Sequence, residues 1–198
     1  MLAVDANPGS GGLAFHVGCR SKYSLADLAR VVERDEQLQE APFAIAGERL
    51  RVLAAEPRPD ATRAVDGELV ERVLDDARRA HALTVVDCGT PASEFVRVVL
   101  RVADRVLWVV PGTVSAIARG RALLRVHDES PPSGEGIVAR HDGTGQPAPL
   151  HALAEMAESR GAPLVLVPHI ADVDDLPLLD RVEQAAVPLA AIGRVIRR

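Results

Sequence analysis

The chain has 198 residues and a formal net charge of −5, enough for a single domain, expected over residues 1–198. Its acidic balance gives no basic footprint for DNA or RNA, and 3% aromatics leave little to stack on bases, which argues against nucleic acid as a partner. No apolar run reaches the ~20 residues that cross a bilayer, and Met1–Gly12 has no basic stretch leading into an apolar one, so a cytoplasmic protein is expected.

Short apolar runs alternate with amphipathic stretches, the pattern of an α/β fold with a parallel sheet flanked by helices. Leu2–Asp5 reads as a strand, followed by a turn-rich loop from Asn7 to Gly12. Ser24 caps a helix over Leu25–Val32. Arg49–Ala54 is a second strand. Asp66 opens a helix whose Leu69, Val70, Val73, Leu74 and Ala77 share one face. Leu83–Asp87 reads as a buried strand and Ala92–Val102 as a helix. Arg105–Val110, apolar on both faces, has the pattern of a central parallel strand, broken by Pro111-Gly112-Thr113. A helix over Val114–Val126, a strand over Gly136–Arg140, a helix over Leu150–Ser159, a strand over Leu164–Val167 and a helix over Leu176–Ala185 complete the order. The tail ends in Arg194, Arg197 and Arg198.

Ligands of open α/β sheets sit at the carboxyl ends of strands. Asp5 and Asp87 stand there. Each carboxylate suits Mg²⁺ held through water, or a cap for the adjoining loop, and the capping role is favoured on spacing alone. Gly9-Ser10-Gly11-Gly12 could cradle an anion but lacks phosphate-loop spacing, so a plain turn is expected. Six scattered histidines show no zinc spacing. Cys19 and Cys88 are expected to be reduced thiols. No nucleophile elbow is present.

The order of several segments resembles the MinD/ParA class of P-loop ATPases. Val4-Asp5-Ala6-Asn7-Pro8 resembles the family's VDxDP strand end, and Arg51–Ala55 its LPA strand. Val73–Asp76 with His81–Pro91 is similar to the stretch containing Walker B. Ala103–Val106 through Val109–Pro111, with Thr113–Ala116, resembles the family's ADxvlxVvxPtxxsv segment. These blocks span Leu2 to Val126, and the septum-site and pilus-assembly (CpaE/TadZ-like) members look most similar. The resemblance implies a truncated P-loop NTPase fold in which Asp5, Asn7, Asp87, Gly89, Pro111 and Arg140 are vestiges of a nucleotide and Mg²⁺ site. Asp87 would hold the metal through water.

Three departures shape the expectation. The family's glycine-rich loop with two lysines has no counterpart, since Lys22 is the sole lysine and lies in Arg20-Ser21-Lys22-Tyr23. Asn7 stands where the family has a second Asp, and Arg140-His141 replaces its base-contacting Asn. A protein without ATPase activity of its own is therefore expected, with no cofactor, acting with a protein partner or as a homodimer in division, pilus assembly or secretion. An N-terminally truncated form of an ATP- and Mg-binding ATPase is the alternative, and a Rossmann-like small-molecule binder a third. The arginine tail adds an anionic membrane surface as a candidate contact, though a solvated helix end is favoured. The family strand beside Walker B is also missing, so Arg105–Val110 is expected to close directly onto Leu83–Val86, or another chain to supply a strand.

Overall fold

The computed structural model describes residues 1–7, 12–17, 44–46, 50–53, 67–89, 94–127, 134–141, 149–169 and 186–196. The helix capped by Ser24, the helix over 176–185, Gly9–Gly11, Cys19, Lys22, Arg197 and Arg198 lie outside them. The chain divides into two compact units, Met1–Val102 and Ala103–Arg198.

The first unit contains strands β1 (Leu2–Asp5), β2 (Ala44–Ala46), β3 (Leu50–Leu53) and β4 (Thr84–Asp87), with helices α1 (Gly12–His16), α2 (Gly67–Ala80) and α3 (Glu94–Val102). The strand order is β2-β3-β1-β4. β1 runs parallel to both β3 and β4, while β2 is antiparallel to β3. Alternation along β1 sends Leu2 and Val4 to one face. There they meet Leu53 of β3 and Val73 and Ala77 of α2. Val70 and Leu74, also on α2, pack on Val98 and Val99 of α3, so the stripe read from the sequence is the buried face of α2, with Leu69 at its margin.

The second unit contains β5 (Val106–Pro111), α4 (Val114–Val126), β6 (Glu135–Arg140), α5 (Leu150–Glu158), β7 (Leu164–Val167) and α6 (Ala186–Ile196). Its three strands are parallel in the order β5-β6-β7. One face, with Val110, Ile137 and Ala139, packs on Ile117 and Leu124 of α4 and on Leu153, Met156 and Ala157 of α5. On the other face α6 approaches β6 at Gly136, where a Cβ would stand 2.9 Å from Val195 Cγ1. The absent side chain lets that helix seat. Among the described residues no helix is long and apolar enough to cross a membrane.

Three expectations are corrected. Among the described residues β5 does not ladder onto β4: one sheet ends on β4 and the other on β5. Two strands read as buried accordingly carry exposed apolar side chains, Val85 at 46% and Val109 at 63%, because an end strand lacks a neighbour on one side. Pro111 continues β5 instead of breaking it. Val106 and Gly112 donate their N–H groups toward β6, to the carbonyls of Gly134 and Arg140, so the odd-numbered residues face away from β6 and a proline at 111 forfeits no ladder bond. Val109 points its backbone the same way. Val109→Lys is therefore expected to change unfolding free energy by less than about 0.5 kcal/mol while reducing self-association, since lysine is a usual guard of an open strand edge. Denaturant midpoints and light scattering check both.

Candidate functional site

Asp5 and Asp87 are register partners at the carboxyl ends of β1 and β4. Alternation puts their side chains on the same face of the sheet, and the Ala6 N–H donates to the Asp87 carbonyl at 2.7 Å, which keeps the two strand ends together. Their surroundings differ sharply. Asp5 is fully buried, at 0% exposure. Its Oδ1 accepts the Asn7 N–H at 3.1 Å and its Oδ2 the Leu13 N–H at 3.2 Å. Leu13 lies in the first turn of α1, so this carboxylate folds the loop back on itself and ties it to a helix start, where free N–H groups favour an anion. Asp87 is exposed. Its Oδ1 accepts the Gly89 N–H at 3.0 Å, and Oδ2 has no hydrogen-bond partner among the described residues.

Asn7 completes the group. Gly89 adopts φ +61, and a Cβ there would stand 2.6 Å from both Cγ and Nδ2 of Asn7. Glycine is needed twice over: for the left-handed backbone and for the room occupied by the Asn7 amide. The arrangement therefore has one tethered carboxylate, one open carboxylate and an amide packed on the turn between them. Asp87 can give one oxygen to a cation. Mg²⁺ takes one or two carboxylates, keeps several waters and relies on phosphate oxygens for the rest, so Asp87 fits as a partial ligand. Asn7 can donate and accept hydrogen bonds but cannot take up a proton as a carboxylate does.

Pro111 and Arg140 are also register partners, at the ends of β5 and β6 in the second unit. The Gly112 N–H donates to the Arg140 carbonyl at 2.7 Å, and Thr113 caps α4 by accepting the Ala116 N–H at 3.2 Å. The Arg140 side chain is exposed and makes no ion pair among the described residues. Thus Asp5, Asn7, Asp87 and Gly89 come together in one unit, and Pro111 and Arg140 in the other. Sequence reasoning missed the Leu13 amide as the partner of Asp5. A five-residue helix after a glycine-rich turn carries no readable period.

Cys88 is next to Asp87 in the chain and packs against the α2–α3 cluster. Burial, and then the neighbouring Asp87 carboxylate, push its thiol from an ordinary 9.0 up to about 12. At pH 8 its alkylation is expected to be about a thousandfold slower than that of a free thiol, in line with the thiolate fraction. The folded state holds this proton more tightly than the unfolded state. The associated stability is whole below pH 9.0 and is lost as pH rises toward about 12. Iodoacetamide kinetics read by mass spectrometry check the rate.

No family profile and no curated protein matches this chain. Solved structures do. A ParA family ATPase from Chlorobium tepidum is 20% identical, with 93% of this chain and 78% of that one covered, at a TM-score of 0.77. The septum site-determining protein MinD of Pyrococcus horikoshii, complexed with Mg-ADP, is 17% identical over 96% and 81% of the two chains, at 0.73. The MinC:MinD cell division complex of Aquifex aeolicus matches at 19% identity over 88% and 70%, at 0.64. At these identities the shared property is the fold, and it defines the class: the chain has the parallel-sheet fold of the MinD/ParA P-loop ATPases.

Proposed function

We propose that this chain is a MinD/ParA-fold protein that works by binding and localisation and does not hydrolyse ATP on its own. The observation that carries the reading is how the acidic positions are used. Asp5 is buried with both oxygens engaged by backbone N–H groups, and the neighbouring position that could orient a water holds the amide of Asn7. Asp87, the exposed carboxylate of the group, is suited to holding a cation. Any Mg²⁺ or nucleotide bound here would use Asp87, with Asn7 and Gly89 shaping the turn around it.

A partner protein or a second copy is the natural complement of such a protein, and the MinC:MinD complex of Aquifex aeolicus is the precedent on the same fold. We place its action in the cytoplasm, in division, pilus assembly or secretion. Anionic membrane remains a candidate surface for the arginine-bearing C-terminal segment, although Val195 of α6 already packs toward Gly136 of its own sheet.

The direct test is ATP turnover by the purified chain with Mg²⁺. The expected result is phosphate release no faster than the blank, for the native chain and for Asn7→Asp alike. Steady turnover by the native chain alone would sink the reading.

A further inference from the structure

The amino ends of β5, β6 and β7, opposite the end that carries Pro111 and Arg140, border a cavity of about 490 Å³. Arg105, Gly134, Glu135, Ala162, Pro163 and Val195 contribute to its wall. It is about half open to solvent, so a ligand would lie in a recess and not in a closed chamber.

The charges in this wall are unequal. Glu135 is spent: Arg160 grips both its oxygens through Nε and Nη2, and Trp108 Nε1 donates to Oε1 at 3.1 Å. Arg105 has no hydrogen bond or ion pair with any described residue. Its guanidinium lies over Gly134, where a Cβ would collide with Nη1 and stand 2.8 Å from Cζ. A glycine at 134 is what lets the planar group rest against the backbone there. The wall thus presents one uncompensated cation, beside the apolar surfaces of Ala162, Pro163 and Val195. Guanidinium matches a carboxylate through two parallel hydrogen bonds, and Ala162, Pro163 and Val195 offer a small apolar area to a short hydrocarbon body beside it.

We propose that this cavity binds a small organic carboxylate with an apolar body, with Arg105 holding the carboxylate and Ala162, Pro163 and Val195 receiving the body. The site is separate from the residues at the carboxyl ends of the strands and does not depend on nucleotide.

The test is an amide NMR titration of the full chain with hexanoate, acetate and inorganic phosphate. Saturable shifts at Gly134, Ala162 and Val195 are expected with hexanoate at millimolar concentration, with acetate and phosphate weaker by about tenfold or more. Arg105→Gln should weaken hexanoate binding by about tenfold or more while leaving the remaining spectrum in place, because the side chain is exposed and unpaired among the described residues. Three results would overturn the proposal: no saturation with hexanoate, equal binding by R105Q, or phosphate binding as tightly as hexanoate. The last would mark a general anion contact with no use for the apolar wall.

Discussion

Truncating Glu135 to alanine is expected to lower the free energy of unfolding by about 3–5 kcal/mol, the cost of leaving one member of a buried ion pair without the other. The side chains of Glu135 and Arg160 are 8% and 10% exposed, so the pair is largely withdrawn from water. Removing the carboxylate takes two hydrogen bonds from the Arg160 guanidinium and the acceptor from the Trp108 indole N–H, which donates to the same group. Glu135→Gln retains an acceptor and should fall between alanine and the native chain. Replacing both partners, as in Glu135→Leu with Arg160→Met, should recover most of the loss, because well-packed apolar groups can substitute for a buried pair with little net change. Urea unfolding monitored by Trp108 fluorescence reads all these variants in the unit concerned. A loss of under about 1 kcal/mol for Glu135→Ala would mean that the pair is solvated in solution.

Asp5 and Asp87 should respond very differently to the same substitution. Asp5→Ala removes the acceptor that the Asn7 and Leu13 N–H groups share at a fully buried position. At about 1–3 kcal/mol for each of the two donors, a loss of roughly 2–6 kcal/mol is expected. Asp5→Asn is not a gentle change either, since one face of its amide would turn an NH₂ toward a backbone donor. Asp87→Ala removes an exposed carboxylate that holds one N–H and should cost well under 1 kcal/mol. Denaturant unfolding gives the energies, and hydrogen exchange at the Leu13 amide shows whether α1 has been released. Equal losses for the two variants would contradict the division of labour between a tethering and an open carboxylate.

That division was not legible from the residues alone. Asp5 and Asp87 look alike in sequence, each closing an apolar run before a loop. What separates them is α1, whose five residues are too few to show a helical period, and which delivers the Leu13 N–H to one carboxylate. The three-residue β2 went unread for the same reason. Longer elements fared better. α2 obeyed its apolar spacing at Val70, Val73, Leu74 and Ala77, and α4 its run from Val114 to Val126. The Glu135–Arg160 pair had no signature, because its members lie 25 positions apart and nothing local marks them as partners.

Composition and periodicity by themselves determined the class of architecture, the alternation of strands and helices, and which helix faces are apolar. They did so because side-chain direction in a helix or strand repeats with a fixed period, and burial of one face is the consequence. Only the tertiary structure decided how exposed each strand is. Val85 and Val109 have the residue type of a sheet interior, yet they lie on strands that end their sheets. It also decided which of two identical carboxylates is structural and which is open, and whether Pro111 interrupts a strand or extends it. These outcomes depend on which neighbour stands beside a strand, and that neighbour comes from a distant part of the chain.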